Sequence, residues 1–143
     1  MAIQSRTDRR KFSQLRQSLV GLADEVRQLI EPFFSDKSVI KGSVYELKRK
    51  CGKPGCKCTQ GELHCSMVVS ASERGRTRLR VIPRGFLGEV QSKVRRYQEL
   101  RGARARLVEV HKKILHLMDE MESMRRVEIP KTNPKKNRSK PQY

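Results

Sequence analysis

Cys51, Cys56, Cys58 and Cys65 are the only cysteines in this chain of 143 residues, and all four fall within fifteen residues. They are written Cys51-Gly-Lys-Pro-Gly-Cys56-Lys-Cys58 and then, past a polar turn, His64-Cys65. Thiolates on a tight Gly/Pro loop, with a second ligand arm six or seven residues on, are what a tetrahedral zinc site requires. Gly52, Pro54 and Gly55 supply the turn between Cys51 and Cys56, and Cys58 is offered one residue beyond Lys57. The fourth ligand stays open. His64 and Cys65 are adjacent, and adjacent side chains on a strand point to opposite faces, so only one of them ligates easily. The expectation is one Zn2+ per chain, held by four of these five residues. Reduced structural cysteines and a redox pair are the other readings, and an iron–sulfur cluster would prefer all-Cys ligation.

A catalytic zinc keeps one position open for water and has a carboxylate close by. Only Glu62 is close in sequence, and neither a His-x-Glu nor a His-Glu-x-x-His pattern is present. No nucleophile–base constellation or phosphate-cradling Gly loop accompanies it. A structural zinc, and no enzyme activity, is expected.

The ligands lie in a strongly basic chain, with 33 Lys+Arg against 15 Asp+Glu and a formal net charge of +18. Such a surplus favours a polyanion as partner, nucleic acid before an anionic membrane. Only 36% of the residues are apolar and 5% aromatic, too few for one large core; a chain like this is elongated, metal-stapled or completed by a partner. Its longest apolar runs are a few residues, so no membrane span is expected. The N-terminal run lacks a hydrophobic signal region. Clustered cysteines point to a reducing interior and metal ligation over disulfides. A cytoplasmic protein associated with a nucleoid or ribonucleoprotein is the expectation.

The elements that must position the ligands divide the chain into four parts. In residues 1–40 an amphipathic helix runs from about Asp8 to Phe34, with Asp8 or Thr7 as its cap. Its apolar positions Phe12, Leu15, Leu19, Leu22, Val26, Leu29 and Phe33 alternate steps of three and four, a heptad seam. Residues 41–83 form a three-stranded meander: Ser43–Arg49, then His64–Ser72 and Arg76–Ile82 around a short Glu73-Arg74-Gly75 turn, with the cysteine knuckle between the first two strands. Residues 84–127 form a longer helix. Leu87, Val90, Val94 and Tyr97 start its stripe; Leu100, Ala103, Leu107, Val110, Ile114, Leu117, Met121 and Met124 continue it. The short step from Tyr97 to Leu100 allows a local kink near Gly102. Residues 128–143 are a Pro-punctuated basic tail, expected to be disordered. The fold class is α+β.

The run Gly42-Ser43 … Arg49-Lys-Cys51-Gly-Lys-Pro-Gly-Cys56-Lys-Cys58 … Gly61-Glu-Leu-His64, followed by a strand pair and a long helix, resembles a family of small prokaryotic proteins. That family is of uncharacterised function and is often encoded beside transposase genes. The resemblance covers about Val39 to Leu117 and implies Cys51, Cys56, Cys58 and His64 as ligands. Where the family follows its His with Gly-Pro and an aromatic, this chain has Cys65-Ser66-Met67, which leaves room for Cys65 to take over. The gene neighbourhood implies a role in a mobile element, beside a transposase, a recombinase or an RNA-guided nuclease.

From Lys41 to Arg84 there are eleven Lys/Arg against Glu46, Glu62 and Glu73. Lys48, Arg49 and Lys50 lead into the knuckle, and Lys53 and Lys57 sit within it. Arg74, Arg76, Arg78 and Arg80 alternate along the third strand, so they are expected to share one face and meet a phosphate backbone. Lys135, Lys136 and Arg138 add phosphate contacts from the tail. Tyr45 is the one aromatic of the sheet, which gives base stacking little support and favours backbone recognition of DNA or RNA. The end of the long helix, Leu107 through Met124, has no partner evident in the sequence. A second copy or a larger protein is expected to cover it, with Met118, Met121 and Met124 suited to an adaptable contact. The resulting expectation is a non-catalytic nucleic-acid-binding accessory protein. A scaffold acting through its heptad helices and a structural RNA-binding protein are the alternatives.

Overall fold

The structure, a computed structural model, describes residues 3–131; Lys135, Lys136 and Arg138 of the basic tail lie outside the described residues. Helix α1 spans Arg6–Ile30 and passes into a 3-10 turn, Glu31–Phe34. Its start is capped by Ser5, not by Asp8 or Thr7. The Asp8 N–H donates to Ser5 Oγ at 3.0 Å, and the Ser5 N–H donates to Asp8 Oδ2 at 3.2 Å. This reciprocal box satisfies two backbone donors that a helix N-terminus leaves without intrahelical partners. Asp8 therefore serves from the third helical position, one turn inside the helix.

Strands β1 (Ser43–Arg49), β2 (His64–Glu73) and β3 (Arg76–Val81) form one antiparallel sheet in the order β1-β2-β3. Ser43 pairs with Ser70 and Arg49 with His64; Val68 pairs with Val81 and Glu73 with Arg76. Two residues, Arg74 and Gly75, close the β2–β3 hairpin, and both have positive φ, 51° and 76°. Such primed turns match the twist of the strands they join. Arg74 consequently lies in the turn and not in the strand row where the alternation placed it.

Helix α2 covers Leu87–Arg125, 39 residues, after a 3-10 turn at Arg84–Phe86. It runs without a break through Gly102. The contacts divide the chain into two compact units. One holds Glu25–Glu109; the other joins the part of α1 up to Asp24 with α2 from Val110 onward. In the first unit the segment before β1 is tied to α2 by Ile40 N–H to Lys93 O at 3.2 Å, Arg96 to Ser38 O, and Gln98 Nε2 to Gly42 O at 3.3 Å. Val94 and Ile82 are buried there, and Arg106 meets Glu25 at 2.6 Å.

In the second unit the heptad seams are the buried faces. Phe12, Leu15, Leu19 and Leu22 of α1 are half-buried, as are Ile114, Leu117, Met121 and Met124 of α2, and Val110 is fully buried at 0% exposure. Lys11 reaches Glu120 at 2.8 Å across the pair. The end of α2 therefore has an intramolecular partner in α1, which the sequence alone does not reveal. The reason is long-range: a seam specifies that a helix face is apolar, not which helix meets it. Among the described residues, no helix is long and apolar enough to cross a membrane.

Candidate metal centre

The knuckle between β1 and β2 is shaped by two consecutive turns. The Cys56 N–H donates to Lys53 O at 3.3 Å, closing a turn with Pro54 and Gly55 at its centre. Gly55 has φ 82°, the left-handed value that the third position of a type II turn demands, and Pro54 presets the position before it. A 3-10 turn, Lys57–Gln60, follows. It is held by Thr59 N–H to Cys56 O at 3.1 Å and by the Thr59 hydroxyl to the same oxygen at 2.6 Å. This turn directs Cys58 inward, where it is completely buried. The chain then enters β2 at His64, in register with Arg49. The sheet thus returns His64 to the loop that carries the cysteines.

The donor atoms of Cys51, Cys56, Cys58 and His64 all lie within 4.8 Å of one another. The Cys51 and Cys58 sulfurs are 3.5 Å apart, and Cys56 Sγ is 3.2 Å from His64 Nε2. A tetrahedral ion with metal–sulfur bonds of about 2.3 Å sets its sulfurs about 3.8 Å apart, so this spacing suits one metal ion. The cysteines are free thiols. Three soft sulfurs and an imidazole complete a four-donor set in which every position is a protein side chain.

The Cys51 N–H also donates to Cys58 Sγ at 3.4 Å, the kind of contact that favours a thiolate. The Lys53 backbone N–H, followed by the Cys58 and Cys56 thiols, holds Cys51 below the ordinary thiol value. At Cys58 the largest single influence, the Cys51 N–H, also acts downward, but burial and the neighbouring thiols together push it up. Thiols packed this closely resist ionising together, and a bound cation would remove that conflict.

Cys65 stands outside the cluster. As the next residue of β2 it points to the opposite face of the sheet, paired with Lys48 and beside Glu46. Glu46, by hydrogen bonding and then by its charge, and burial between them push its thiol up. Of the two residues that the sequence left open, the register brings His64 to the cysteines. Arg49, Lys50 and Ser66 line a polar depression with Cys51 and His64. Ser66 carries no chemical signature of its own in the sequence, although its two-residue spacing from His64 places it on that face.

The other basic candidates separate by face. Arg76, Arg78 and Arg80 share one side of β3, opposite Glu73, Ala71 and Val69 of β2. Arg78 and Arg80 each approach Glu73 at 3.5 Å, a sign mixture that the alternation along β3 alone does not reveal. They border a groove with Ile82 and Val90. Lys48 lies on that same side, whereas Arg49 lies on the side of His64. Lys53 and Lys57 remain exposed in the knuckle.

Comparison with curated proteins and with solved structures found no significant match. Comparison with protein families matched residues 12–92, from the α1 seam through the knuckle and the whole sheet into the start of α2, to a family described as a domain of unknown function, DUF6788. That segment is more than half of the chain and contains the complete Cys3His cluster, and the protein belongs to the DUF6788 family.

Proposed function

We propose that this protein is a non-catalytic, zinc-containing nucleic-acid-binding accessory protein that works within the nucleoprotein complex of a mobile element. The observation that carries the reading is a complete Cys3His donor set inside a chain of net charge +18. Four protein donors leave no open position for a substrate water, which favours zinc as a fold-holding ion. Zinc suits three thiolates and an imidazole in tetrahedral spacing. The ion staples β1 to β2 and so holds the basic knuckle residues Lys53 and Lys57 on a fixed frame. Phosphate contact is the role proposed for these and for Lys48, Arg49, Arg76, Arg78 and Arg80, with the polynucleotide backbone as the main target. The link to a mobile element rests on the family resemblance, which also supports a prokaryotic cytoplasmic setting as part of the proposal.

The test is the salt dependence of association between the metal-loaded chain and duplex DNA, single-stranded DNA or structured RNA. The expected result is a linear fall of log affinity with log salt, with a slope set by the number of phosphates contacted. Salt-independent association, or none with any of the three, overturns the reading. A second reading, assembly through the helices, is favoured by exposed Leu115 and Met118 on α2. It predicts self-association or capture of a protein partner that is indifferent to nucleic acid.

A further inference from the structure

The two faces of the sheet differ in charge. Both acidic residues of the strands, Glu46 and Glu73, share a face with Lys48 and the β3 arginines, as the register dictates. The other face of the strands carries no carboxylate among the described residues. Its middle row is Tyr45, Val68 and Val81, since Val68 pairs with both neighbours. Val68 is enclosed at 0% exposure, whereas Tyr45 keeps 40% and Val81 58% of its surface open. Two rows along, Arg49 pairs with His64 beside the depression that Lys50 and Ser66 help to line. Four residue steps along the strand, about 13 Å, separate Tyr45 from Arg49. An exposed aromatic on a sheet face whose strands carry no carboxylate, with a cationic depression at its end, combines the two elements that a single-stranded polynucleotide uses.

We infer that this face binds single-stranded nucleic acid, with one base stacked on Tyr45 and the neighbouring phosphates at Arg49 and Lys50. This rests on the nucleic-acid reading above and narrows it to strand type and surface. A duplex hides its base faces in its own stack and cannot use Tyr45, so the face selects unpaired strands. The strand residues of this side carry no carboxylate to repel a polyanion, while Glu46 and Glu73 are kept to the other side. The metal cluster fixes the end of the site, because His64 belongs both to the donor set and to the row of Arg49.

The experiment uses the full metal-loaded chain with a short oligothymidylate and the matching duplex. The chain has no Trp, so Tyr45→Trp introduces a single indole reporter. Its fluorescence is expected to be quenched by the single strand and not by the duplex. Tyr45→Ala is expected to weaken single-strand binding about tenfold with the salt slope unchanged, and Tyr45→Phe to retain affinity. Arg49→Gln should lower the single-strand slope by about 0.7. Metal content, measured in each variant, reports folding. Binding that persists equally in Tyr45→Ala, with no quenching at position 45, overturns the stacking site and leaves the broader reading standing. No binding to either strand form overturns both. Self-association that depends on Tyr45 and ignores oligonucleotide makes the face a protein interface and overturns the inference.

Discussion

Cys56 Sγ lies 3.2 Å from His64 Nε2, although they are eight positions apart in the chain and His64 begins a strand that Cys56 does not join. The contact closes a loop on the sheet, so anything held there ties the knuckle to β1 and β2.

Metal content is the most direct consequence. Purified chain should hold one zinc, and His64→Ala should lose it together with the meander, because structural zinc contributes on the order of 10 kcal/mol to folding small metal domains. Cys65→Ser should retain both, since Cys65 faces Glu46 on the opposite side of the sheet. Elemental analysis with circular dichroism reads the result. Equal losses in the two variants would contradict the assignment of His64.

The arginine row yields a charge-specific expectation. Neutralising Arg76, Arg78 and Arg80 together should weaken binding to all sequences alike and lower the salt slope by roughly 2–3 units if each meets a phosphate. Glu73→Gln should act in the opposite sense, because it frees Arg78 and Arg80 from their shared carboxylate. An unchanged slope in both variants would assign this face to protein or solvent.

The α2 seam separates core from surface. Val110→Ala removes two fully buried methyl groups and should cost about 2 kcal/mol, measured by denaturant unfolding. Met118→Asp, at an exposed position, should leave the helix pair folded. If Met118→Asp also abolishes self-association or partner capture, assembly uses the outer face of α2 and not its seam.

Acid should loosen the start of α1. Its Ser5 partner, first through the hydroxyl and then through the backbone N–H, holds Asp8 below the ordinary value of 3.8. A depressed carboxylate contributes stability that is present above the unfolded value and lost as pH falls through the lower folded one. Asp8→Asn should therefore cost melting temperature at neutral pH, and its difference from the unaltered chain should shrink as pH drops below 3.8. The variant difference isolates this effect from acid release of metal, which both proteins share. A pH-independent difference would mean that the carboxylate charge contributes nothing.

The amino-acid order alone makes legible the element types, the two seams, the three strands and the cluster of possible metal donors. These are local patterns: three-four spacing buries one helix face, alternation splits a strand between two faces, and Pro54-Gly55 dictates a turn. It also determined that His64 and Cys65 could not both serve, since neighbours on a strand diverge. The folded structure settles which one joins the cysteines, because the pairing of Arg49 with His64 sets which face of β2 meets the knuckle. It likewise decided that Val110 is enclosed and that Glu73 answers Arg78 and Arg80. Each outcome depends on a residue brought in from another element, and no local period records what will lie opposite a face once the chain has folded.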